Sequence, residues 1–528
     1  MQRSSPSVFD RAASGTAWLL ALSLLAGLPG ITAAGPEART GAQIYRQQCA
    51  RCHGKMGEGT DENYPRPLAG ERSVAQLVRL ISKSMPKDMP QKCVGADAEK
   101  VGAYIHEAFY SKAAQARNTR PRIELSRLTV RQYRHTVADL IGSFRSPGQW
   151  DQQRGLRAEY FNATHFRDKN LVMERIDPGV HFDFGLSGPD PKKFAAHEFA
   201  IRWQGSVLAP ETGDYEFIVR TEHAARLWVN EVKRPLIDAW VKSGNETEYR
   251  ASIYLLGGRV YPLRLEFAKG KQGVADKPDK KAKPPEVKAS VALEWKLPQR
   301  AAEVVPQRNL SPNRFPEVFV VKSPFPPDDR SVGYERGTSV SKAWERATTD
   351  AAIEVADYVV AHLADLAGAA DDAADRGPRI QEFCRRFAER AFRRPLTAEQ
   401  KRLFVDHQFE RAKNLETAAK RVVLLILKSP RFLYRELEHS PEGYDVASRL
   451  SFGLWDSLPD QELLAAASAG KLATREETVR QAERMVSDLR TRAKLRDFFF
   501  QWLKVEQVPD LSKDPKRFPG FDTAIASD

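Results

Sequence analysis

Cysteine is scarce in this chain: four residues among 528, too few to staple a disulfide scaffold. Only one CxxC pair occurs, Cys49 and Cys52, and without a second pair a structural zinc knuckle is excluded. The other two, Cys93 and Cys384, stand far apart in sequence and are expected as free, buried thiols rather than a disulfide. The histidines from His135 to His439 are scattered with no HxxxH or HExxH spacing, which removes the signatures that place two metal ligands on one helical face. Acidic residues are in deficit, 69 against 82 lysines and arginines, so the formal net charge is +13. From these remainders no constellation of base, nucleophile and metal ligands emerges, and the sequence leaves open whether any domain is catalytic.

What is present is concentrated in Cys49-Ala50-Arg51-Cys52-His53-Gly54. Two thiols three positions apart match the two vinyl groups of one haem, and the following histidine lies beneath the iron as its proximal ligand. A redox dithiol would give no reason for that histidine. An electron-transfer haem also takes a distal ligand, and a thioether there favours ferrous iron. Met85 and Met89 follow, each before a proline in Ser84-Met85-Pro86-Lys87-Asp88-Met89-Pro90, a stretch expected to be extended and non-helical. Asp97, Val101, Tyr104 and Ile105 then fall at helical spacing. With Ile44 and Tyr45 before the cysteines, residues 38–112 resemble a small all-α class I cytochrome c domain. The resemblance implies haem c held covalently through Cys49 and Cys52, with His53 and a methionine on the iron. In that family the methionine precedes the last helix by a short connector, which implies Met89, with Met85 as the alternative.

Arg3 and Arg11 precede an apolar run at 17–26, and Thr32-Ala33-Ala34 precedes Gly35. Residues 1–34 therefore read as a secretory signal peptide cleaved after Ala34. The run is shorter than the ~20 residues a membrane-spanning helix needs. Haem attachment outside the bacterial cytoplasmic membrane, which the cytochrome resemblance implies, points the same way: the periplasm, the cell surface or the medium. An exported protein meets little nucleic acid, so the positive charge is not read as a nucleic-acid site. Part of that charge sits at 269–285, expected as a solvated loop.

The stretch 113–121 is polar and unpatterned and reads as a linker. Thr129 is expected to cap a helix on which Tyr133, Val137, Leu140 and Ile141 recur at three- and four-residue steps, within a helical connector at 122–150. From 153 to 305, short alternating runs are separated by Gly, Pro and Asp, as in an all-β sandwich. The phrases Thr212-Gly213-Asp214-Tyr215, Leu227-Trp228-Val229-Asn230, Leu256-Gly257-Gly258 and Leu293-Glu294-Trp295 resemble the protective-antigen-type domain of secreted glycosidases, adhesins and toxins. In sugar-binding members an acidic pair before the Leu-Trp strand holds calcium against the glycan. Here that loop is Thr221-Glu222-His223-Ala224, so the resemblance implies a polysaccharide partner while calcium is not expected. Trp228 is expected as a stacking or core aromatic.

Past a Pro-rich segment at 315–327 the pattern is helical to the end, with two all-α domains at 340–437 and 442–528. Ala351, Val355, Tyr358, Val359 and Leu363 make one apolar stripe, Phe383, Phe387 and Ala391 a second, and Val422, Leu425 and Ile426 a third. Pro395 is expected to break a helix and Thr397 to cap the next. Arg127-Leu128-Thr129, Arg393-Arg394-Pro395-Leu396-Thr397 and Ser448-Arg449-Leu450-Ser451-Phe452 resemble the multi-domain secreted c-type cytochromes of the planctomycete type, whose helical domains are of unknown function. Members of that family continue further, so a C-terminal truncation is expected. Asp456 and Asp460, either side of Ser457-Leu458-Pro459, read as helix caps or as a binding pair. The expected fold class is thus multi-domain: a small all-α class I cytochrome c domain, an all-β sandwich, then an all-α C-terminal region. The expected function is exported electron transfer to a redox partner protein or fused domain. The alternatives are a carbohydrate-binding or adhesive surface protein with an auxiliary haem, and a haem peroxidase, whose open sixth site Met85 and Met89 argue against.

Overall fold

The computed structural model describes residues 39–118, 126–241, 245–270, 288–331, 333–435 and 443–505, with 513, 514, 516–521 and 525 beyond them. The expected signal segment 1–34, most of the basic run 269–285 and most of the chain's end lie outside these residues. Two compact units divide the chain, Met1–Ile123 and Glu124–Asp528. Among the described residues no helix is long and apolar enough to cross a membrane.

In the first unit Thr40 opens a continuous helical run. Its hydroxyl accepts from the Gln43 amide and its own amide donates back to the Gln43 side chain, which satisfies two orphan donors. The run proceeds through Gly41–Ile44, a π-helical turn Tyr45–Cys49 and Ala50–His53. It stops at Gly54, whose φ of +79° suits glycine and where a Cβ would lie 2.4 Å from the Glu58 carboxyl. Helices Val74–Ser84 and Ala96–Ile105 pack against it, joining Ile44, Tyr45, Leu77, Ile81, Val101 and Ile105 in one core. Lys112–Asn118 is helical rather than linker: Ala114 is buried, and Gln115 Nε2 donates to the Gly70 carbonyl at 2.6 Å. A polar segment is fastened there by side-chain-to-backbone bonds, which hydrophobic periodicity does not report.

The second unit's described residues begin with a helix and continue into a sandwich in which twelve strands are described. They are β1 Leu156–Phe161, β2 Leu171–Asp177, β3 His181–Gly185, β4 Phe199–Ala209, β5 Gly213–Arg220 and β6 Ala224–Val229. The remainder are β7 Ile237–Ala239, β8 Glu248–Leu255, β9 Arg259–Lys269, β10 Ala289–Lys296, β11 Ala302–Val304 and β12 Leu310–Ser311. One sheet runs β2-β1-β4-β9-β6-β7 with β12 on β4; the other runs β11-β10-β5-β8 with β3 on β10. The spine is the antiparallel β4–β9 pair, in register from Phe199 opposite Lys269 to Ala209 opposite Arg259. Trp203, Tyr215, Phe217, Phe267 and Trp295 fill the space between the sheets.

The helix Val130–Gly142 has the capping box its Thr129 announces, with Gln132 as the reciprocal partner. It is buried nearly all round, from Gln132 to Ile141, so it cannot stand as a separate connector and sits inside the later helical core. There Tyr133, Val137 and Leu140 join Val355 of Lys342–Ala361, Phe387 of Arg376–Phe392 and Val422 of Leu415–Lys428. Arg376–Phe392 ends with Arg393 at φ +61°, ahead of Pro395, and Thr397 caps Ala398–Lys401. Tyr444–Trp455 and its neighbours form a smaller core around Trp455, Leu463 and Met485. The sandwich meets this region through the β8–β9 turn. Gly258 there has φ +74°, and a Cβ would stand 2.7 Å from Arg490 Cα in the helix Leu489–Trp502.

Candidate functional site

Cys49 immediately precedes Ala50–His53 in the continuous helical run and Cys52 and His53 occupy its last positions, so two thiols and an imidazole share one turn. Both thiols are free; Cys52 is exposed, while the half-buried Cys49 thiol is pushed up to about 12 by burial and by Cys93 and Cys52. The turn is held by Gly59 N donating to His53 O at 2.8 Å, Thr60 Oγ1 to Cys52 O at 2.8 Å and the Tyr45 hydroxyl to Gly54 O at 2.8 Å. The His53 ring packs edge-on against Tyr64, centroids 4.6 Å apart, and burial lowers its pKa. Its Nδ1 is buried with no hydrogen-bond partner among the described residues. A neutral imidazole is the form that ligates iron. Met85 follows Val74–Ser84 in extended conformation and rests on the core that Cys49 and Tyr104 also flank. Met89 precedes the turn Pro90–Lys92 and is 43% exposed. Two free thiols, one neutral imidazole and a nearby thioether fit a covalently held haem.

A cavity of about 220 Å³ lies in the second unit where Val130–Gly142, the β4–β5 turn and Leu489–Trp502 meet. Its charges are matched. Arg131 reaches Asp497 at 2.8 Å and Glu335 at 3.3 Å, Lys494 reaches Asp456 at 2.7 Å, and Arg496 reaches Glu211 at 2.8 Å. Behind them Asp139 takes both Arg259 at 2.8 Å and Arg490 at 3.3 Å. Burial alone would raise the Asp139 pKa, but Arg259 and Arg490 outweigh it and hold the carboxyl below its ordinary value. His135, 4% exposed, lies 3.0 Å from Thr212 Oγ1 through Nε2. Burial, then Arg259, Arg131 and Lys494, push its pKa well below the ordinary histidine value. Asp456 and Asp460 play different parts. Asp460 caps Gln461–Ser468 and is held by Arg484 at 2.7 Å. Asp456, at φ +51°, is buried and accepts from Gln132 Nε2 at 3.0 Å as well as from Lys494. The arrangement fixes three chain segments to one another. Sequence reasoning singles out only Asp456 here, because partners such as Arg490 and Asp139 stand 351 positions apart.

A second cavity, about 320 Å³, is lined by Gln204, Trp228, Glu231, Arg264, Arg314 and Phe315. Leu227 and Val229 of β6 and Leu263 and Leu265 of β9 point into the sandwich core, so the alternate residues Trp228 and Arg264 face outward. Trp228 is 7% exposed, its ring covered by the Arg264 guanidinium at 3.7 Å. It is a covered aromatic, not an open stacking platform. At the other end of β6, the Glu222 carboxylate accepts from Ser290 N at 3.1 Å and Ser290 Oγ at 2.8 Å, and His223 Nε2 donates to Lys288 O at 3.0 Å. The loop's carboxylate is thus engaged within the sandwich.

Comparison with known families matches residues 36–105 to "Cytochrome C oxidase, cbb3-type, subunit III" and residues 152–309 to the PA14 domain. Residues 379–436 and 442–528 match proteins of unknown function, DUF1595 and DUF1592 respectively. An anti-sigma-I factor of Acetivibrio thermocellus is 32% identical over 162 residues, which is 31% of this chain and 22% of that protein. Among solved structures, an anti-sigma factor domain-containing protein is 30% identical with TM-score 0.26, over 31% of this chain and 50% of that one. The epithelial adhesin 6 A domain of Candida glabrata, in complex with Galβ1-3GlcNAc, is 11% identical with TM-score 0.25, over 33% of this chain and 92% of that one. The chain therefore spans about a fifth of the curated relative and half of the first of these solved chains.

Proposed function

We propose that this multi-domain cytochrome, with its cytochrome c, PA14 and two helical domain matches, is an exported electron-transfer protein whose β-sandwich binds glycans. The observation that supports it is that Cys49, Cys52 and His53 share one helical turn inside the cytochrome match. Haem c, when bound, supplies one-electron chemistry at a potential set by its axial ligands. In this reading Cys49 and Cys52 anchor the group, His53 is the proximal ligand, and Gly54 with the Tyr45 hydroxyl keeps the turn in place. Connector length favours Met89 as distal ligand; Met85 resting on the first unit's core, while Met89 is exposed, supports Met85 instead. The N-terminal apolar run supports export to the periplasm or cell surface, where a redox partner protein takes or gives the electron.

Periplasmic expression with haem-maturation machinery should give a chain that keeps its haem through denaturing electrophoresis, and Cys49→Ala with Cys52→Ala should give none. A colourless periplasmic product containing zinc overturns the reading. Met85→Ala should remove the weak thioether-to-iron band of the oxidised protein and lower its reduction potential, while Met89→Ala leaves both. The reverse result returns the role to Met89, and loss in neither variant removes thioether ligation altogether.

A further inference from the structure

Trp228 Nε1 and Arg264 Nε are both buried side-chain donors with no hydrogen-bond acceptor among the described residues. Leaving a buried donor unsatisfied costs about 1–3 kcal/mol, so two such donors lining one cavity call for an acceptor. The neighbouring charges do not supply it. Arg264 Nε lies 3.6 Å from Glu266, an ion pair without hydrogen-bond geometry. Arg202 is engaged by Glu159 at 2.6 Å and Arg226 by Asp238 at 2.9 Å, so the sheet's other outward carboxylates are taken. Arg314 donates to the neutral amide of Gln204, and among the described residues no carboxylate pairs with its charge. Glu231, the acidic residue in the lining, is exposed and turned to Arg234 at 3.8 Å.

We infer that this cavity binds the oxyanion of an acidic saccharide, a carboxylate or sulfate group accepting from Trp228 Nε1, Arg264 and Arg314. Arg264 covers the indole but its side chain is 37% exposed, so it can swing to admit an oxygen beneath it. The acceptor-poor wall explains why an anion is selected, and Gln204, Glu231 and Phe315 at the rim suit the hydroxyls and apolar face of a sugar ring. The site lies at the opposite end of β6 from the Glu222-His223 loop, whose carboxylate is already engaged. The inference deepens the glycan reading of the sandwich, on which it rests.

The test is electrophoresis of the full-length protein through gels containing a polyuronate, a sulfated dextran or neutral dextran, at near-physiological salt to suppress non-specific attraction by the chain's net positive charge. The acidic polymers should retard it and neutral dextran should not; which acidic polymer acts more strongly distinguishes carboxylate from sulfate. Trp228→Phe keeps an aromatic ring and every charge but removes the donor, and should weaken retardation roughly tenfold, the effect of one hydrogen bond to a charged group. Arg264→Gln should do at least as much. Arg157→Gln, an exposed residue on β1 paired with Glu174, should stay within about twofold, the range of a lost surface charge. Retardation by acidic polymers that Trp228→Phe leaves unchanged overturns the site. Retardation by neutral dextran alone also overturns it while leaving the glycan reading standing. If no polymer retards the protein, glucuronate and sulfate titrations followed by tryptophan fluorescence decide: a response lost in Arg264→Gln, which leaves the indole in place, keeps the oxyanion site and rejects the glycan reading, and no response, or one that Arg264→Gln leaves unchanged, rejects both.

Discussion

Two arginine-lined cavities of the Glu124–Asp528 unit, around His135 and around Trp228, put one residue type to opposite ends. Around His135 the guanidinium groups meet carboxylates drawn from distant segments, Arg259 and Arg490 on Asp139 and Arg131 on Asp497. Around Trp228 the donors outnumber the acceptors, and two of them are buried with no acceptor among the described residues. Burial makes pairing obligatory for a charge, because the desolvation penalty is recovered only when the partner is in place. Matched charges at the meeting of three segments therefore act as a joint. Donors left unmatched beneath one exposed side chain are arranged for something that arrives from outside.

The comparison is broken most severely at Asp139. Asp139→Ala leaves Arg259 buried and Arg490 without one of its two acids, and should destabilise the second unit by about 3–5 kcal/mol, read from the denaturant midpoint. A loss under 1 kcal/mol would mean that the joint does not carry the junction. Gly258→Ala attacks the same junction through the backbone, adding a Cβ at positive φ against Arg490, and should cost about 2 kcal/mol. An unchanged midpoint would show that the β8–β9 turn can retreat from the helix.

Smaller effects sharpen the contrast. Folded His135 is neutral, its pKa well below the ordinary 6.5, so below that pH the unfolded chain binds a proton that the folded chain refuses. Its contribution is therefore complete above the unfolded pKa and falls as pH drops beneath it, by up to about 1.4 kcal/mol per pH unit until the folded value is reached. His135→Gln should flatten stability between pH 7 and pH 5 by about that slope relative to the parent protein; parallel pH profiles would mean that the imidazole is protonated in place. Trp228→Phe should be the mildest, within about 1 kcal/mol of neutral or slightly stabilising, since it removes a buried donor that had no partner. A loss of several kcal/mol would show that the indole N–H is satisfied in solution and that the cavity is no receptor.

Much of this was legible along the chain because it is local. Cys49, Cys52 and His53 fall within five consecutive positions, so chain spacing alone sets them on one turn, at Ala50–His53. Thr129 and Thr397 announce their helices for the same reason: a cap and its partner lie three residues apart. Alternation at two marks the strands, and the packing stripes of the helical region follow from 3.6 residues per turn, although Leu425, placed in one of them, is largely exposed. The limits appear where the partner is remote. The helix Val130–Gly142 reads as amphipathic, but only the fold supplies the surfaces that bury its His135 and Gln132 side as well.

By itself, then, the sequence determined the placing of two thiols and an imidazole on one turn of a cytochrome c domain, the order of helical and β regions and the helix starts, since each depends on residues within a turn or a strand of one another. Tertiary structure alone decided that Met85 rests on the first unit's core while Met89 is exposed, that Asp456 is buried against Lys494 while Asp460 caps a helix, and that Arg264 covers Trp228. Those outcomes depend on which charges and donors are taken out of water together. Burial joins residues hundreds of positions apart, as Arg490 and Asp139 are, and no periodicity along the chain records it.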